Sequence, residues 1–147
     1  MNGTSAVYQY ARLLFTDAQT CSGSADLTFA STTTNTITGA AIDTGAFDLP
    51  IGTYRVTGEF TFDTTATARS NRGMQIKVNS VVVSQRSGGN YIRLNNGHNE
   101  AGDAIMDIIE ITVTDHPVQF AVFAEAAGTA TCTISGTESW ALFEKVI

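Results

Sequence analysis

Residues 46–63 read Ala-Phe-Asp-Leu-Pro-Ile-Gly-Thr-Tyr-Arg-Val-Thr-Gly-Glu-Phe-Thr-Phe-Asp, a Pro-x-Gly turn followed by the cleanest alternation in the chain. Tyr54, Val56, Phe60 and Phe62 fall in one phase, and Thr53, Arg55, Thr57, Glu59, Thr61 and Asp63 in the other. Successive side chains of a strand point to opposite faces, so this stretch reads as a half-buried β-strand with an aromatic inner row.

Upstream, residues 6–15 (Ala-Val-Tyr-Gln-Tyr-Ala-Arg-Leu-Leu-Phe) are strand-like but apolar in both phases. A strand written that way is covered on both sides, by a second sheet or by another subunit. Residues 16–26 read as loop, 27–29 as a short strand and the Thr-rich 31–35 as loop again. Residues 37–42 read as a weak strand that ends at the Asp43-Thr44-Gly45 turn.

Downstream, Met74, Ile76 and Val78 alternate with Gln75, Lys77 and Asn79. Asn79-Ser80 is a turn, 81–85 a strand, and Ser87-Gly88-Gly89-Asn90 a second turn before 91–94. The longest loop spans 95–103. A strand follows at 104–114, with Ile109, Ile111 and Val113 in phase, and Thr114-Asp115-His116-Pro117 is a turn. The next strand, 118–125, sets Val118, Phe120 and Val122 against Ala121 and Phe123; strands at 131–134 and 139–147 complete the chain. No segment longer than ten residues carries the repeat of an amphipathic helix. The expectation is an all-β, antiparallel sandwich of eight to ten short strands, with residues 1–5 as a short arm and 6–147 as one domain. No long internal repeat points to a propeller or solenoid.

The formal charge of −6 is segregated. Residues 64–93 hold Arg69, Arg72, Lys77, Arg86 and Arg93 and no acid, whereas both flanks are acidic. That distribution does not suit general nucleic-acid binding, which favours a net basic face. It suits contacts between copies or with another protein, with Arg69, Arg72, Arg86, Tyr91 and Arg93 as candidate contacts. The alternative is that the basic segment neutralises its own neighbours in the fold. No apolar run is long enough for a membrane-spanning helix. The N-terminus lacks a basic region, and Gln9 and Arg12 interrupt the apolar run that follows; the expectation is synthesis in a cytoplasm without secretion.

Signals for chemistry are sparse. Cys21 and Cys132 lack metal-site spacing; they are either small buried residues or one disulfide. His116 precedes Pro117 in a turn, and His98 lies in the 95–103 loop. That loop offers Asn95, Asn99, Glu100 and Asp103 as weak calcium candidates, but not in the spaced pattern of a dedicated calcium loop. No nucleophile elbow, phosphate-binding loop or zinc-protease motif occurs, so neither an enzyme nor a cofactor is expected. A glycoside-processing enzyme needs a carboxylate pair in a cleft, which no motif marks here.

Four features occur in a telling order: Phe47-x-x-Pro50-x-Gly52-x-Tyr54-x-Val56, then Met74-x-Ile76-x-Val78-Asn79, then Ile109-x-Ile111-x-x-x-Asp115-x-x-Val118, then Ser139-Trp140-x-Leu142. Together they resemble the jelly roll of the tumour necrosis factor and complement globular-head family, over nearly the whole chain. Val56 stands where that family has an aromatic, Ser80 where it has a turn glycine, and Thr114-Asp115 where it has Gly-Asp. The resemblance implies a homotrimer, with Tyr8, Tyr10, Phe123, Trp140 and Phe143 as candidates for its core or for the protomer's own. The sequence carries no collagen-like stalk, which turns the expectation from an animal secreted role toward bacteriophage virions, where such jelly rolls recur. Two roles follow. One is a trimeric decoration (cement) protein bound to the major capsid protein and stabilising the head. The other is the receptor-binding head of a tail fibre or adhesin, recognising cell-surface carbohydrate through Arg69, Arg72, Asn90, Tyr91, Arg93 and the 95–103 loop.

Overall fold

The computed structural model describes residues 7–20, 25–63, 70–92, 100–113, 116–124 and 133–146. In chain order its strands are β1 (Gln9–Phe15), β2 (Gln19–Thr20), β3 (Ala25–Asp26), β4 (Phe29–Asn35), β5 (Ala41–Asp43) and β6 (Ala46–Leu49). After Pro50 come β7 (Gly52–Asp63), β8 (Ser70–Val78), β9 (Val81–Ile92) and β10 (Glu100–Ile111). The last three are β11 (His116–Ala124), β12 (Thr133–Ile134) and β13 (Trp140–Lys145). Nine of them have four residues or more, within the expected eight to ten, and β2, β3, β5 and β12 are short bridges.

The strands form two antiparallel sheets packed face to face. The first runs β10, β7, β13, β1, β4, with β12 beside the far end of β7 and β2 beside β12. The second runs β5, β6, β11, β8, β9, with β3 also on β11. The organising stretch thus spans both layers: β6 lies in the second sheet, the chain breaks at Pro50-Ile51, and β7 lies in the first. Tyr54 is buried at the start of β7, and its hydroxyl donates to the Pro50 carbonyl at 2.8 Å, holding that crossover shut.

The aromatic inner row predicted for β7 is buried as expected: Tyr54, Val56, Phe60 and Phe62 are all 2% exposed or less. Gly58 interrupts the row for a reason on the facing sheet. A Cβ there would lie 2.5 Å from the Phe120 ring. Phe120, on β11, seats over that gap and meets the rings of Phe15, Phe29, Phe60 and Phe143 at centroid distances of 5.7, 6.2, 5.5 and 6.2 Å. Aromatic pairs at these separations add about 0.5–1.5 kcal/mol each beyond area burial.

Five sequence readings are corrected. Residues 31–35 are not loop but part of β4, an edge strand whose exposure on both faces erases the alternation that marks a strand. Residues 37–40 are not strand: Asn35 Oδ1 accepts from Ile37 N at 3.0 Å and Asn35 Nδ2 donates to the Ala40 carbonyl at 2.8 Å, closing a turn. Ser87-Gly88-Gly89-Asn90 does not turn but continues β9, because a register shift opposite Gly73 absorbs the extra residues. The 95–103 loop ends by residue 100, where β10 begins, and His116-Pro117 open β11. Asn79-Ser80 is the predicted two-residue turn, with both residues at positive φ (49° and 65°), the primed geometry that matches strand twist.

β7 changes partner from β13 to β12 near Thr61, and two groups fill the gap. Thr61 N donates to Ser139 Oγ at 2.9 Å, and Ser135 N donates to the Thr61 carbonyl at 3.0 Å. Ser139 is fully buried. Ser139→Ala leaves the Thr61 amide without its acceptor and is expected to destabilise the fold by about 1–3 kcal/mol in urea unfolding. Ser80→Gly, which relieves a left-handed φ, is expected to stabilise by about 0.5–1 kcal/mol in the same assay.

Candidate functional site

The outward face of the first sheet holds an unusual concentration of apolar and aromatic side chains. The ladders set three rows across it: Ile108, Arg55, Glu144 and Tyr10; Met106, Thr57, Leu142 and Arg12; Ala104, Glu59, Trp140 and Leu14. Met106 and Ile108 are 64% and 63% exposed, and Tyr10, Leu14, Trp140 and Leu142 are half-buried. Solvated sheet faces are ordinarily polar, so a face of this kind is the candidate contact surface of the molecule. The double-sided apolar pattern of residues 6–15 has this cause: Ala11, Leu13 and Phe15 face the core, and Tyr10 and Leu14 face out.

Polar groups order the aromatics. Tyr8 stacks on Tyr10 with ring centroids 5.3 Å apart, and its hydroxyl donates to Glu144 Oε1. Arg55 Nε pairs with Glu144 Oε2 at 2.8 Å. Arg12 lies over the Trp140 ring at 5.3 Å from its centroid, within cation–π range. Three of the proposed trimer-core residues, Tyr8, Tyr10 and Trp140, therefore share this face. The other two do not. Phe143 points inward, fully buried against Phe29, Phe47 and Phe120, so it serves the protomer's own core and offers a neighbour no surface. Phe123 belongs to the second sheet, where its ring covers Gly73.

Of the proposed partner-contact arginines, the two that are described, Arg72 and Arg86, are engaged within the fold. Arg72 is fully buried, and burial lowers its pKa, so it is corrected from a docking residue to an internal one. Arg86 pairs with Asp103 at 2.6 Å and donates to the Ala104 carbonyl. Lys77 pairs with Asp26 at 2.5 Å. The basic segment therefore neutralises acids from elsewhere in the chain at Lys77 and Arg86. Arg69, Arg93, Asn95, His98, Asn99, Cys21 and Cys132 lie outside the described residues, as do the side chains of Asn90, Tyr91 and Glu100.

Asp103, a weak calcium candidate, is held by Arg86 and accepts from Ala104 N at 2.8 Å. It lines an open cleft of about 380 Å³ with Glu59, Glu138, Thr61 and Arg86. No group of three His, Cys, Asp or Glu side chains able to hold a metal ion occurs among the described residues. Sequence reasoning missed Leu14, Leu142, Met106 and Ile108 as members of this outward apolar face. The available signal was that residues 104–109 (Ala-Ile-Met-Asp-Ile-Ile) are apolar in both phases, as residues 6–15 are.

The Tyr8 phenol titrates above its ordinary value of 10.0, because its proton is held by Glu144 and a phenolate there would face that carboxylate. With the folded-state value raised, the contact stabilises fully below pH 10 and is lost as pH rises through the raised value. Ultraviolet difference titration is expected to show one phenol, absent in Tyr8→Phe, that ionises at lower pH once Glu144→Ala removes its acceptor.

No protein-family model matches the chain, and no curated protein matches it in sequence. Solved structures match it in fold over nearly its whole length. Murine APRIL at pH 5.0 superposes with a TM-score of 0.66 at 10% identity, covering 95% of this chain and 100% of that one. Murine APRIL at pH 8.0 gives 0.63 at 7% identity, with the same coverages. The PRD1 vertex protein P5 gives 0.61 at 17% identity, covering 97% of this chain and 100% of that one. The resemblance read from the four ordered features is thereby confirmed at the level of fold: the chain is an all-β, TNF-like jelly roll, a fold it shares with murine APRIL and the PRD1 vertex protein P5.

Proposed function

We propose that this protein is a structural component of a bacteriophage virion, a homotrimer that docks on the head and stabilises it as a decoration protein. The observation that carries this reading is the shared fold with the PRD1 vertex protein over 97% of the chain. The outward face of the first sheet supports the trimer. Tyr8, Tyr10, Leu14, Trp140 and Leu142 present apolar surface that three copies can bury around a common axis, and homo-oligomers close in this way without leaving open faces.

The charge distribution narrows the docking surface. Of the five cations in residues 64–93, the three described are buried or paired with acids of the same chain. The exposed acids Asp43 on β5 and Glu110 on β10 lie outside the three apolar rows and are what the protein offers to a shell, and they call for a basic or neutral capsid surface.

Native mass measurement is expected to give three times the 15.6 kDa chain mass, and Leu142→Asp is expected to give monomers that remain folded. Wild-type protein is expected to rebind heads from which it has been stripped. A monomeric wild type without affinity for heads overturns the reading. Glycan or host-cell binding in place of head binding favours a receptor-binding role on the same fold.

A further inference from the structure

β9 and β10 are the outermost strands of the two sheets on one side of the sandwich, with β10 paired to β7 alone and β9 to β8 alone. Each therefore carries a row of backbone donors and acceptors that no strand among the described residues covers, a template for strand addition unless something blocks it. The two edges differ. Along β10 the chain blocks its own row: Asp103 Oδ1 accepts from Ala104 N and Asp107 Oδ1 from Ile108 N, both at 2.8 Å, and Arg86 donates to the Ala104 carbonyl. Residues 104 and 108 share a phase, so both capped amides lie on one side of the strand. Along residues 81–84 of β9 no side chain caps the backbone among the described residues. Val81, Val82 and Val83 stand there 63%, 41% and 47% exposed, with no charge or proline on the edge; the register shift opposite Lys77 is a bulge that confines pairing to the backbone groups it leaves facing outward.

Between the closed edge and the open one lies a groove of about 390 Å³. Val78, Val81, Val83 and Ile108 supply apolar walls, Asp107 and Glu110 supply carboxylates, and no lysine or arginine among the described residues lines it. We propose that this groove docks an extended segment of a partner protein that alternates apolar and cationic side chains, adding as a strand to β9 at residues 81–84. Backbone hydrogen bonds to β9 supply affinity, as in other strand-addition complexes, and the two faces of the added strand sort between valines and carboxylates. The capped β10 edge directs pairing to β9. The site goes beyond the virion reading and stands without it.

The test uses the full chain and a blocked heptapeptide alternating valine and lysine, with a valine–glutamate peptide as control. Amide exchange by NMR at low salt is expected to show the amides within residues 81–84 that face away from β8 exchanging freely in the protein alone and slowing only with the lysine peptide. Asp107→Asn/Glu110→Gln is expected to weaken that binding by about fivefold, while Glu138→Gln leaves it unchanged. Absence of binding, equal binding of both peptides, or binding without slowed exchange at 81–84 overturns the proposal. So does protection of 81–84 in the protein alone that grows with concentration, since a second copy then occupies the groove. These readouts require neither head binding nor trimer formation, so failure here is distinct from failure of the virion reading.

Discussion

The structure depends on one ring. Phe120 crosses from the second sheet into a gap that Gly58 leaves in the first, and there it touches Phe15, Phe29, Phe60 and Phe143. These four rings come from β1, β4, β7 and β13, so a single side chain ties one strand of the second sheet to four of the first. Interiors are packed as densely as organic crystals, which leaves no room for a Cβ at Gly58 or for a smaller group at Phe120 without a void. The β6–β7 crossover, clamped by Tyr54 on the Pro50 carbonyl, brings the two sheets into the alignment that this contact needs.

Once the core is closed inward, what remains on the outside is asymmetric. The first sheet turns a face of tyrosines, tryptophan and leucines to solvent, ordered by Glu144 with Arg55 and by Arg12 over Trp140. The side of the sandwich formed by β9 and β10 has one strand edge capped by its own aspartates and one left bare. Both features support the proposed place in an assembly, since exposed apolar faces and unpaired strand edges are surfaces that partners cover. The cations of the 64–93 segment that the structure describes are buried or paired with acids of the same chain.

Much of the fold was legible because the β7 stretch states its two faces in alternating order, and because Pro50, Gly52 and Asn79-Ser80 name their turns. Legibility failed where the pattern depends on a neighbour. β4 is polar because it is an edge, and the Ser87–Asn90 stretch is Gly-rich because it forms an irregularity within β9. The aromatic candidates divided for the same reason. Trp140 and Phe143 lie three residues apart on β13, and their opposite phases send one outward and the other into the core. Arg72 reads as a surface cation, yet it shares the inward phase of Met74 and Ile76.

The most direct measurement is a cryo-electron reconstruction of the phage particle produced by cells that also make this chain with an electron-dense tag. Threefold clusters of the sandwich on the outer shell, with the Tyr10 and Trp140 faces turned toward each other, are the predicted result. A shell without such density, with the tagged chain found only outside assembled particles, would contradict it.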